Sequence, residues 1–241
     1  MELPKETTVS DDPSESAHGR WYGDACGTAF AMELVGERWS ILLVRELLLG
    51  GRRFSDLRRA LPAISAKVLT ERLARLEAAG VVGRRQLGPP APAQLYELTE
   101  WGRYAEPAII ELSRWALRSP RHDPTLSLSP VALMLNLRTT MDRAAAQALS
   151  ASMRFEIGPA DQGDRFTARL TKGELVLARA DDSDPAPDFT VWVGKPLAFL
   201  RFVYGRQDLA ALEAEGGLRI TGDVVLAKKV FAAFSLPPKV A

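Results

Sequence analysis

Histidine and cysteine are scarce, with two and one respectively in 241 residues. A single thiol excludes an internal disulfide and any multi-cysteine metal site. His18 and His122 lie in polar stretches, so a catalytic triad built on a core histidine is not expected. Long apolar runs are missing too. The best candidate, Ile41 to Leu49, is broken by Arg45 and Glu46, far short of the ~18 apolar residues of a membrane span. The N-terminal MELPKETTVSDDPSES is acidic and lacks the apolar core of a secretory signal, which leads us to expect a cytoplasmic protein without membrane contact. No Walker A sequence, G-x-G-x-x-G, H-E-x-x-H or G-x-S-x-G occurs. Neither an enzyme nor a cofactor is therefore expected. What is present is 46% hydrophobic and 25% charged residues, a globular composition with length for one large domain or two small ones.

The net charge of +1 conceals a partition. Residues 1–19 carry five acids and one lysine and read as a disordered acidic tail. Residues 52–85 carry nine basic and three acidic residues. A concentrated basic block in a balanced chain points to a polyanionic partner, or else to a solvated helix face.

From Gly27 onward Phe30, Leu34, Trp39, Leu42, Leu43 and Leu47 recur at helical spacing, with a break expected at Gly36 and an end at Gly50-Gly51. FSDLRRAL (54–61) forms a short helix stopped by Pro62. Ser65 is a good N-cap for a second helix, whose apolar stripe is Val68, Leu69, Leu73 and Leu76 and whose end is Gly80. Two short strands follow, GRRQL and LYEL, around the loop GPPAP. Thr99 caps a final helix through Trp101, Tyr104, Ile109, Leu112 and Trp115. This order is that of a winged helix-turn-helix, in which the second helix enters the major groove and the hairpin tip lies near the backbone or minor groove. The groups suited to DNA are Ser65, Lys67, Thr70, Glu71, Arg72 and Arg75 on the second helix, Arg53 and Ser55 at the start of the first, and Arg84, Arg85 and Gln94 on the wing.

The span Cys26–Trp115 resembles the HxlR family of bacterial winged-helix regulators. The resemblance is carried by Cys26, Leu34-Val35-Gly36-Glu37-Arg38-Trp39, Arg53-Phe54-Ser55-Asp56-Leu57, Ile64-Ser65-Ala66-Lys67-Val68-Leu69-Thr70, Gly80-Val81-Val82, Tyr96-Glu97-Leu98-Thr99 and Gly102. It implies a homodimer, joined through the first and last helices of the domain, on a palindromic operator in double-stranded DNA. The wing tip PPAPAQ departs from the family's more usual proline–arginine tip. In some members a cysteine at the place of Cys26 senses oxidants or electrophiles. Asp24 nearby disfavours the thiolate, and a buried or semi-buried small residue is expected at this position.

Residues 120–128 read as a linker between a winged-helix domain (20–119) and a second domain (129–241). The residues predict a helix over Val131–Ala151, a strand at Met153–Ile157, and a hairpin of 165–170 with 174–178 across Thr171-Lys172-Gly173. Further on they predict a strand over Asp188–Val193, helices over Lys195–Tyr204 and Asp208–Glu215, a strand at Leu218–Ile220 and a closing helix at Val224–Phe234. Strands followed by helices against one sheet make an α+β domain. Phe189-Thr190-Val191-Trp192-Val193 and the run from Gly217-Leu218-Arg219-Ile220 to Val230-Phe231 resemble the sterol-carrier-protein type 2 family. That resemblance implies a helix-covered sheet with a lipid-sized apolar cavity. Candidate lining residues are Phe189, Trp192, Phe199, Phe202, Val203, Tyr204, Phe231 and Phe234.

The expectation is thus a transcription regulator with an apolar small-molecule effector. The rivals are a regulator switched through Cys26 and a lipid carrier whose winged helix makes only protein contacts.

Overall fold

The computed structural model describes residues 22–88, 92–159 and 163–240. The expected acidic tail and the Pro89-Pro90-Ala91 wing tip lie outside the described residues. The chain divides into two compact units, one running to Val44 and including Arg52–Arg103, the other holding Arg45–Gly51 and Tyr104–Ala241.

In the first unit α1 (Gly27–Val35) is followed by a tight turn in which Trp39 adopts φ 80°. The expected break at Gly36 is therefore spread over 36–39, and α2 (Ser40–Leu47) starts beyond it. Asp56 accepts the N–H of Arg53 at 3.3 Å and opens α3 (Phe54–Ala60). The hydroxyl of Ser65 accepts the N–H of Val68 at 3.2 Å and opens α4 (Ala66–Ala78). Leu43, Val44, Leu57, Leu61, Ile64, Leu69, Leu73 and Leu76 are all buried, so the helix-turn-helix turns its apolar residues inward. Helix α4 ends in a Schellman motif: Val81 N–H reaches Leu76 C=O and Gly80 N–H reaches Glu77 C=O, both at 2.9 Å. Gly80 has φ +71°, which only glycine adopts without strain.

The wing is the antiparallel pair β1 (Val82–Leu87) and β2 (Ala93–Leu98). The Thr99 hydroxyl donates to Gly80 C=O at 2.7 Å and accepts from Gly102 N–H at 3.0 Å, fixing the returning strand to the end of α4. The predicted final helix is two helices, α5 (Glu100–Arg103) and α6 (Glu106–Leu117), with Pro107 in the first turn of the second.

The second unit is α+β. Its sheet order is β5-β4-β3-β6-β7, from β3 (Ser150–Ile157), β4 (Asp164–Thr171), β5 (Glu174–Arg179), β6 (Phe189–Val193) and β7 (Leu218–Gly222). Only β3 and β6 pair in parallel. Lys172 (φ 51°) and Gly173 (φ 72°) make the predicted β4–β5 turn. The inner sheet face, including Phe155, Phe166, Val191 and Ile220, packs with α7 (Pro130–Thr140), α8 (Pro196–Val203), α9 (Leu209–Ala214) and α10 (Val224–Ala232).

The helix expected over 131–151 stops at Thr140. Met141 is extended (ψ 128°), and the Asp142 carboxylate accepts the N–H groups of Ala144 and Ala145, which starts a separate turn. Among the described residues no helix is long and apolar enough to cross a membrane.

Helix α6 packs on α7 and belongs to the second unit, as does the end of α2.

Candidate nucleic-acid interface

Helix α4 buries one face and leaves the other open. Ser65, Lys67, Thr70, Glu71 and Arg75 are exposed. Lys67, in the first turn, makes no ion pair among the described residues. Thr70 donates its hydroxyl to Ala66 C=O at 3.0 Å, a bond it can exchange for an outside acceptor. Arg53, Ser55 and Arg58 are exposed at α3.

Arg72 departs from its expected place on the open side. Its side chain keeps only 17% exposure, ion-paired to Glu37 and donating from Nε to Arg38 C=O at 3.2 Å. Arg75 pairs with the other oxygen of the same carboxylate. Glu37 thus ties the recognition helix to the α1–α2 turn, and Arg72 is a strut rather than a free contact. On the wing, Arg84 pairs with Glu77 at 2.7 Å and stands over the Tyr96 ring at 5.5 Å. Arg85 pairs with Glu97 at 2.9 Å, and Gln94 accepts from Gln86 at 3.4 Å.

Cys26 is exposed, not semi-buried. It is the N-cap residue of α1, beside first-turn N–H groups that have no partner within the helix. The backbone N–H of Thr28, then that of Ala29, then the Thr28 hydroxyl hold its thiol pKa below the ordinary value. The Asp24 carboxylate accepts the Cys26 N–H at 2.9 Å. The helix end, not Asp24, sets the thiol's character.

The candidate lining residues of the second unit fall into two groups. Phe231 is the hub of one, with its ring centroid 5.4 Å from Phe199, 5.7 Å from Phe202, 5.9 Å from Phe189 and 6.1 Å from Phe234. These rings and Val203 are buried to within 8% and belong to one apolar core with the sheet and helices. Tyr204 borders them, its hydroxyl 2.7 Å from Thr140 Oγ1 and accepting from Asn136 Nδ2 at 3.2 Å. Burial pushes its pKa up to about 12. Trp192 does not join them. It lies on the opposite sheet face from Val191 and Val193, with the Arg219 guanidinium 5.9 Å from its ring.

A family model for the HxlR-like helix-turn-helix matches residues 34–123. The HTH-type transcriptional regulator YvaP of Bacillus subtilis is 42% identical over 87 residues, covering 36% of this chain and 80% of that protein. The chain belongs to the HxlR-like helix-turn-helix family. YodB, an HTH-type transcriptional regulator of the same organism, is 38% identical over 87 residues, 36% of this chain and 77% of that protein. The solved reduced form of YodB is 32% identical, covers 42% of this chain and 100% of that one, and superposes with a TM-score of 0.38. The remainder of this HxlR-like chain matches the SCP-2 sterol transfer family over residues 131–235.

Two residues of this face were not picked out from the sequence. Arg58 is exposed and carries no ion pair among the described residues, whereas Arg59 is taken up by Asp56 at 3.0 Å. Its position off the buried Leu57 face was the available signal. Glu37 gave none, since its partners lie 35 and 38 positions away.

Proposed function

We propose that the protein is a transcription regulator that binds an operator as a homodimer. Helix α4 enters the major groove and the wing lies against the backbone. The observation that carries this reading is the open face of α4, where an N-capped first turn presents exposed Lys67 and Thr70, with Ser55 and Arg58 exposed on α3. Such a face offers cations to phosphates and hydrogen-bonding groups to base edges. Helix α6 supplies the second requirement, a surface for another copy. Tyr104 just before it (70% exposed), Leu112 (48%) and Trp115 (72%) form one outward stripe. Exposed stripes of this kind mark interaction sites. No catalytic role is assigned to any residue.

Regulation would come through the SCP-2 domain. An apolar effector there must displace ring contacts in the aromatic core and would find Tyr204, Thr140 and Asn136 as its polar anchors. It shifts DNA affinity only if it binds the competent and incompetent dimers differently. A second reading is favoured by the exposed, pKa-lowered Cys26, namely that an electrophile or oxidant acts on this thiol.

The test of the main reading is a gel-shift titration at several salt concentrations, with promoter fragments from around the protein's own gene. One fragment should bind well above competitor DNA of equal length. Equal binding to all fragments refutes an operator-specific regulator. Thermal shift with fatty acids and polycyclic compounds, followed by operator titration with each binder, tests the effector. A binder that leaves operator affinity unchanged makes the domain a passive carrier.

A further inference from the structure

We infer that the SCP-2 domain controls the dimer-forming helix α6 mechanically, through the α6–α7 seam, with Glu106 and Arg138 as positioning residues. This rests on the dimeric regulator reading and adds the route by which its second half acts.

Helix α6 has two faces with different owners. Its outward face is the Tyr104, Leu112 and Trp115 stripe. Its inward face buries Ile109, Ile110 and Leu117, and Ile110 belongs to the same apolar core as the aromatic cluster. Polar contacts hold the helix along its length. Glu106, in the first turn, pairs with Arg138 of α7. Arg114 Nε donates to Thr139 C=O at 3.1 Å, satisfying a carbonyl at the end of α7. At the other end Lys239 Nζ donates to the carbonyls of Leu117 (3.0 Å) and Ser119 (2.9 Å), and Val240 N–H bonds Arg118 C=O at 2.8 Å.

Helix α7 is in turn buried on nearly all sides. Its Asn136 and Thr140 hold the Tyr204 hydroxyl at the edge of the aromatic cluster. Its N-cap, Ser129, donates at 2.6 Å to Glu46, a fully buried carboxylate in the last turn of α2. Residues 45–51 and 104–123 are part of the HxlR-like match, yet they pack as part of the second unit. A displacement of α7 therefore carries α6 and the end of α2 with it. Because close-packed interiors transmit strain, a change at the aromatic cluster would re-aim the exposed stripe of α6 and so weaken or strengthen the dimer on which operator binding depends.

The test uses the full chain. Glu106→Arg and Arg138→Glu are made singly and together, and the dimer dissociation constant and operator affinity are measured well below the melting temperature. Each single variant is expected to change both by at least about fivefold, the lower end of site-to-site coupling, and the double charge swap to restore them. Simple structural damage would not be rescued by the swap. Should a charge reversal fail to fold, Glu106→Gln and the remote Tyr204→Phe replace it, with the same shift expected. Folded variants with wild-type dimer constants and wild-type operator affinity overturn the inference. A wild type that dimerises but binds no DNA refutes the regulator reading instead, and the dimer constants still test the seam.

Discussion

Replacing Lys67 by alanine isolates the electrostatic contribution of the recognition helix. Lys67 is exposed in the first turn of α4 and pairs with no carboxylate among the described residues, so its charge is available to a phosphate. One such contact contributes about 0.9 to the log–log salt slope. Between 1 M and ~0.1 M salt that is about 0.9 decade, or roughly eightfold in affinity per contact. A dimer presents two copies, so the variant should lose ~1.8 units of slope and bind about 60-fold more weakly near 0.1 M. Folding stability should stay within about 0.5 kcal/mol, as for an exposed side chain with no structural partner. Arg75→Ala is the internal comparison. Its guanidinium is held by Glu37, which it shares with Arg72, so its slope change should be smaller than that of Lys67→Ala. Fluorescence anisotropy across five salt concentrations reads both. An unchanged slope for Lys67→Ala, or a larger loss for Arg75→Ala, refutes the assignment of the open face of α4 to the phosphates.

The remaining predictions probe the thiol and the second unit. Cys26→Ser should bind operator like wild type, while wild-type Cys26 should alkylate faster than free cysteine at neutral pH; a rate no faster than free cysteine contradicts the helix-end effect. Phe231→Ala removes the hub ring and should cost about 3–5 kcal/mol, a melting decrease of roughly 6–20 °C for a chain of this size; a small decrease would show that the cluster is loosely packed. The Tyr204 phenol is raised to about 12 in the folded protein against ~10 unfolded. Its contribution is fully present below pH ~10 and is lost as pH rises toward 12, because the unfolded state ionises first. Tyr204→Phe should flatten that part of the alkaline unfolding curve, and identical curves would mean that the hydroxyl is not held in a desolvated site.

The helix-turn-helix was legible because local punctuation coincides with tertiary need. Pro62, Ser65 and Gly80 each stop or start an element by their own chemistry, and Leu69, Leu73 and Leu76 of the α4 stripe are buried while Val68 at its start is half-buried. The β4–β5 hairpin was legible for the same reason, from Lys172-Gly173. Where packing rather than local chemistry decides, the sequence was silent. Arg72 reads as a solvated cation until Glu37 folds against it. The Ala-rich run after Val131 hides its break, since Asp142 stops the helix by taking the next N–H groups for itself. Trp192 alternates with two valines, and alternation alone assigns no face. The division of the chain between its units follows the α6–α7 seam, made of contacts such as Glu106–Arg138 that no local pattern announces.

Hydroxyl-radical footprinting of the selected promoter fragment tests the central claim most directly, since it reports where on the duplex the protein sits. The account predicts two symmetric protected patches about 10 base pairs apart, or a multiple of that spacing, one for each α4 of the dimer. Both patches should fade in Lys67→Ala at a concentration where wild type protects fully. Uniform protection without periodicity, or a footprint unaffected by Lys67→Ala, would contradict operator recognition through this helix.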